Sequence, residues 1–142
     1  MSRNDTPDSP LELTRRSFEA ADSGDYEWMM SFYGPESVFD MADWGLGVHT
    51  GPAAIRTFFE AWIGAFDEFE MKLEEMHDLG GGATFAVARQ RALAARSRTP
   101  LRLQHAAITV WSGGVAVRVT NYRDIDRARE IAERTGEGSG DG

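Results

Sequence analysis

One segment constrains the fold of this chain more than any other. Thr50 or Gly51 can cap a helix, Pro52 suits its first turn, and Ile55, Phe58, Phe59, Trp62, Ile63 and Phe66 then recur at three- and four-residue steps. A stripe this wide and this aromatic must be buried against a large apolar surface. After Asp67 the pattern changes to strands and tight turns. Residues 69–79, 83–97, 101–111 and 115–123 read as strands, separated by Gly80 to Gly82, by Thr99 and Pro100, and by Gly113 and Gly114. The helix therefore has a sheet to pack on, and the sheet follows it directly in the chain.

Two further helices precede the long one. Leu11, Thr14, Phe18 and Ala21 share a face until Asp22, Ser23 and Gly24 break the run, and Asp25 can cap a shorter helix carrying Tyr26, Met29, Met30 and Tyr33. Gly34 and Pro35 end it, and a short strand over 37–40 follows. At the other end, Asp124 or Asp126 caps a closing helix with Ile125, Ala128, Ile131 and Ala132 inward and Gly136 as its stop. The expected class is α+β: a cone-shaped, curved antiparallel sheet wrapped around a long helix, with two N-terminal helices and a short C-terminal helix. Such a cone has an apolar interior, which is a pocket.

The 142 residues suit one domain. It is expected over 11–134, between a disordered N-terminus at 1–10 and a flexible, glycine-rich tail at 135–142. With 15 Lys and Arg against 23 Asp and Glu, the net charge of −8 disfavours nucleic acid and anionic membrane as partners. The chain has no cysteine, which removes disulfides, thiolate nucleophiles and thiolate metal sites and leaves His and carboxylate chemistry. Residues 1–10 lack the apolar core of a leader, and no later stretch approaches the roughly 20 apolar residues of a membrane span, so a cytoplasmic location is expected.

Four stretches, ADSGDYEWMMSFYGPESVFD (21–40), HTGPAAIRTFFEAW (49–62), VARQR (87–91) and GGVAVRVTNYRDIDRAREIA (113–132), resemble the SnoaL-like branch of the nuclear-transport-factor-2-like superfamily. The resemblance runs from about Leu11 to Ala132 and implies the same cone. It includes polyketide cyclases, ketosteroid isomerases, dehydratases, epoxide hydrolases and pocket proteins without chemistry, and fold likeness does not choose among them. By resemblance to ketosteroid isomerases, Asp40 stands where a general base is found. The second acid of that pattern falls near Ala107, however, and the helical phenol falls among residues 14–18, where there is no Tyr. Epoxide hydrolases need an acid pair where this chain reads Arg89, Gln90, Arg91 and Asn121, Tyr122, so that activity is disfavoured.

From the residues themselves, Asp40 beside Met41, Ala42 and Trp44 would be a poorly solvated carboxylate and hence a better base, its competing roles being a turn cap or an ion-pair partner. His105 alternates with Leu103, Ala107 and Thr109 on one strand face and is the natural proton shuttle; its competing role is a hydrogen bond to a carbonyl at the sheet edge. Arg89 and Arg91 share a face opposite Gln90; if that face is the interior they need partners, for which Asp40 and Glu74 are available. Tyr33, Trp44, Phe58 and Trp62, with Phe32, are expected around the pocket, and Trp44 is the lid contact. Asp40, Asp43 and His49 do not make a metal frame, so no metal and no cofactor are expected.

Two functions stay open. One is a pocket for a small hydrophobic, carbonyl-bearing molecule with isomerase or aldol-type cyclase chemistry, in which Asp40 removes a proton, His105 shuttles it, and Arg89, Gln90 or Asn121 stabilises the developing negative oxygen. The other is a non-catalytic ligand-binding or pairing domain, a homodimer formed through the sheet face carrying Ala86, Ala88, Thr120 and Tyr122.

Overall fold

The computed structural model describes residues 9–141. The expected disorder at 1–10 therefore falls, for residues 1–8, outside the described residues. The first helix, α1 (Pro10–Ser23), starts on a Ser9 side chain that accepts from the Glu12 amide and stops at Gly24, whose φ of 73° takes the left-handed turn that spares a glycine any strain. Asp25 caps α2 (Tyr26–Met30) by accepting from the Trp28 amide. Strand β1 (Val38–Asp40), a 3₁₀ turn at Ala42–Trp44 and strand β2 (Val48–Thr50) lead into α3 (Pro52–Gly64). Phe66, read above as the end of the helical stripe, opens β3 (Phe66–Gly80). Strands β4 (Ala83–Ala94), β5 (Pro100–Ser112) and β6 (Val115–Tyr122) follow, and α4 (Ile125–Asp141) closes the chain.

The sheet order is β2-β1-β6-β5-β4-β3. Every neighbouring pair is antiparallel except β1 and β6, which run parallel because the segment after β1 turns away into α3 before the sheet resumes. Register shifts in β3 at Asp67/Glu70, Leu73/Glu75 and Asp78/Gly80, and one between β5 and β6 at Val110/Trp111, bend the long strands into the curved sheet the sequence implied. The β3–β4 turn brings backbone very close to backbone: a Cβ on Gly82 would stand 2.6 Å from the Trp111 carbonyl oxygen.

The two faces of the sheet carry separate cores. On the concave side, α1, α2 and α3 bury Leu13, Ala20, Met29, Ile55, Phe59 and Ile63 against Ala88, Ala107, Trp111 and Val119. Thr14 pins α1 to that face: its hydroxyl accepts from Trp111 Nε1 at 2.9 Å and shares a hydrogen bond with the Thr84 hydroxyl at 2.8 Å. On the convex side, α4 lays Ala128 and Ala132 over Phe85, Val87, Ala106 and Ile108, with Tyr122 and Ile125 alongside.

This division corrects the expected pairing face. Ala86 lies opposite Ala107, and Ala107 opposite Asn121, so Ala86 and Ala88 belong to the concave face with Asn121, while Thr120 and Tyr122 alternate to the other side. The four residues do not form one open surface. The closing helix is also longer than expected. Gly136 keeps a helical backbone and sits against Leu79 of β3, so the chain continues in α4 through the segment read as a tail.

Candidate functional site

The concave face carries two adjoining, partly open hollows of about 40 and 50 Å³. They share Phe39, Phe59, Met71, His105 and Asn121 as walls. The first is completed by Met41 and Trp44 from the β1–β2 connection, Phe58 and Trp62 from α3, and Gln90 and Leu103 from the sheet. The second continues toward α1 and is completed by Phe18, Tyr33, Ala107, Thr109 and Trp111 among others. Among the described residues, no Asp, Glu, Lys or Arg lines either hollow.

His105 is the centre of the polar arrangement. It is 7% exposed and packs against the Phe18 ring at 6.2 Å, and burial pushes its imidazole down to about 4, so it is neutral at pH 7. Its tautomer follows from its neighbour. Trp62 Nε1 can only donate, and it donates to Gln90 Oε1 at 2.9 Å, which leaves the Gln90 amide nitrogen facing His105 Nδ1 at 3.2 Å. Nδ1 therefore accepts, and the ring proton sits on Nε2. That N–H has no hydrogen-bond partner among the described residues.

Other polar groups border the same space. Asn121 spends its amide nitrogen on the Asp40 carbonyl at 3.2 Å and keeps its side-chain oxygen without a partner among the described residues. Tyr33 packs edge-on to Phe39, and burial pushes its phenol above the ordinary range. Trp44 has a buried Nε1 with no acceptor among the described residues, while its ring carries the Arg123 guanidinium at 5.7 Å.

The structure places Tyr33, Trp44, Phe58, Trp62, His105 and Asn121 around the hollows. Three residues differ: Phe32, which lines neither hollow and packs edge-on against Trp111 in the core, and the two charged residues Asp40 and Arg89. Asp40 lines neither hollow. Phe39 points inward, so Asp40, next along the strand, points out; its carboxylate caps the Ala42 amide at 2.9 Å and pairs with Arg118 at 2.6 Å. The turn-cap and ion-pair roles weighed against catalysis are the ones it takes. Arg89 likewise stands on the convex face, where it pairs with Glu74 at 2.9 Å. Gln90, which alternates to the interior, was named only as one of three oxygen-stabilising residues, and Leu103 and Met71 were not identified. The clue was available in the alanines: Ala86, Ala88 and Ala92 mark the inward parity of β4 that Gln90 shares.

His49 meets the Leu46 carbonyl at 2.9 Å and the Phe58 ring at 5.0 Å, away from Asp43, which accepts from the Arg123 amide. Among the described residues, no group of three His, Asp or Glu side chains is placed to hold a metal ion, and no helix is long and apolar enough to cross a membrane.

The model of the SnoaL-like domain matches residues 14–119. No curated protein matches the chain in sequence. Among solved structures, a protein from Shewanella denitrificans OS-217 assigned as a SnoaL-like polyketide cyclase superposes with a TM-score of 0.72 at 12% identity, covering 89% of this chain and 97% of that one. A protein from Novosphingobium aromaticivorans assigned as an aromatic ring hydroxylase gives a TM-score of 0.72 at 17% identity, covering 90% and 99%. A protein of ketosteroid isomerase-like fold from Catenulispora acidiphila DSM 44928 gives 0.69 at 12% identity, covering 78% and 84%. Likeness at these identities establishes a shared fold.

Proposed function

From the premise that this chain belongs to the SnoaL-like domain family, we propose that it binds a small, uncharged, largely apolar ring compound bearing a carbonyl group. The observation that carries this reading is the Nε2–H of a neutral, buried imidazole, left without a partner among aromatic walls. The ring packs against Phe39, Phe58, Phe59 and Trp62, whose side chains part to widen the hollow of about 40 Å³, and its carbonyl oxygen accepts from His105 Nε2. Charged ligands are disfavoured, because nothing charged lines the hollows to offset the loss of their hydration.

A cyclase or isomerase activity is the second reading, favoured by the polyketide cyclase assignment of the Shewanella relative. It would use the same atom. An N–H aimed at a carbonyl oxygen stabilises the enolate that forms when a neighbouring carbon loses its proton. Among the described residues, His105 and Tyr33 are the only titratable side chains along the hollows, and the His105 base nitrogen is occupied by Gln90, so the base for that step would have to come from elsewhere. Binding is therefore the better supported function.

The test is a titration with 1-tetralone, a neutral bicyclic ketone, followed by quenching of tryptophan fluorescence. Saturable binding by the native chain, weakened about tenfold in His105→Phe by loss of one hydrogen bond to the carbonyl, is the expected result. Equal binding by both proteins, or none by either, would contradict it.

A further inference from the structure

Trp44 holds a polar atom for which the ketone alone has no use. Its Nε1–H is buried and has no acceptor among the described residues. A donor shut away from water without a partner is costly to keep, so a fold that retains one calls for a reason. The Trp44 ring borders two spaces, an open surface cleft shared with Asp43, Arg123 and Asp124, and the first hollow. An N–H turned toward the open cleft would be reached by solvent. This one is not, so it lies on the side of the hollow.

The end of the sheet explains how the ring comes to stand there. The β5–β6 register stops with Ala106 opposite Tyr122, and one further step would set Arg123 opposite His105. Arg123 instead donates its backbone N–H to the Asp43 carboxylate at 2.8 Å and lays its guanidinium over the Trp44 ring at 5.7 Å. The 3₁₀ turn is thereby fastened beside the place where pairing with β5 ends, and its indole joins His105 as a wall of the first hollow. Two donors without partners border one space, His105 Nε2–H from the sheet and Trp44 Nε1–H from the turn.

Resting on the ketone pocket proposed above, we infer that Trp44 is a specificity-determining residue of that pocket: its Nε1–H donates to a second oxygen on the ligand, and the preferred ligand is a neutral cyclic ketone that also carries a hydroxyl group. A ligand with one oxygen leaves one of the two donors unpaired in the complex, whereas a ligand with two satisfies both. The second oxygen adds one atom and no second ring, so it needs little more room than the ketone itself.

The experiment compares 1-tetralone with the four 1-tetralones hydroxylated at carbon 4, 5, 6 or 7, by titration calorimetry on the native chain and on Trp44→Phe, which keeps an aromatic ring and loses the N–H. The reading is the ratio of hydroxylated to parent affinity within each protein, which cancels any general damage to the wall. In the native chain at least one hydroxylated compound should bind about tenfold more tightly than 1-tetralone, and in Trp44→Phe that ratio should fall to about one. If Trp44→Phe fails to fold or to bind, the indole Nε1–H resonance of Trp44 in the native chain decides: it should move further downfield with the favoured hydroxylated compound than with 1-tetralone. Binding of 1-tetralone with no gain from any hydroxyl, a gain kept in Trp44→Phe, or an indole resonance that does not tell the compounds apart overturns the second donor and leaves the ketone pocket standing. Failure of all five compounds to bind the native chain overturns both.

Discussion

The Gln90 amide nitrogen lies 3.2 Å from His105 Nδ1, and that contact sets what the site can do. Gln90 is itself oriented by Trp62, so a residue of α3 fixes the tautomer of a residue on β5 through one on β4. Replacing Gln90 by Leu leaves the Trp62 N–H and the His105 acceptor unpaired inside the core. The expected cost is about 1–3 kcal/mol in urea unfolding at pH 7. Gln90→Glu instead sets a carboxylate against the imidazole, and the His105 pKa measured by NMR should rise from its depressed value.

The burial of His105 also sets a pH dependence. The unfolded chain takes up a proton near pH 6.5 that the native imidazole refuses until about pH 4. The corresponding stability is present in full above pH 6.5 and declines as the pH falls through that window, by a total on the order of 3 kcal/mol. Denaturant unfolding of the native chain and of His105→Leu between pH 7 and pH 4.5 checks this. The variant should lose the part of the slope that the native chain shows.

Asp40 gives the opposite expectation. Its carboxylate is 16% exposed and its partner Arg118 48% exposed, so the pair is partly screened by solvent. Asp40→Asn keeps an oxygen for the Ala42 amide and should cost less than about 1 kcal/mol in stability, with ketone affinity unchanged. A large loss of binding in that variant would return Asp40 to the site.

Thr14 provides a purely structural contrast. Thr14→Val removes the acceptor of Trp111 Nε1 and the hydrogen-bond partner of Thr84 at a fully buried position, and should destabilise the chain by about 1–3 kcal/mol. Its effect should appear in urea unfolding, with the tautomer of His105 unaltered.

Most of the fold was readable because the relevant signals are local. Asp25 and Gly51 at helix starts, Gly24 at a helix end and paired glycines at hairpin turns each act within a few residues. The inward position of His105 was readable for a related reason: β5 is long enough for alternation with Ala107 and Thr109 to set its parity. Strand β1 has only three residues, Val38, Phe39 and Asp40, and three residues offer too little alternation to decide which one faces inward. The choice is made by the pairing of Phe39 and Asp40 with Val119 and Thr120, contacts formed about 80 residues away in the chain. The same kind of cross-strand register separated Ala86 and Ala88 from Thr120 and Tyr122, and no property of those residues taken singly reveals it. Gly136 misled for another reason: a glycine ends a helix where it takes the left-handed turn, and here its backbone stays helical within α4.

The most direct measurement is the imidazole ¹⁵N spectrum of His105 at pH 7, recorded with and without saturating 1-tetralone. A neutral ring with its proton on Nε2, and an Nε2–H resonance that moves when the ketone is added, is the predicted result. An imidazolium protonated on both nitrogens, a proton on Nδ1, or a resonance indifferent to the ketone would contradict it.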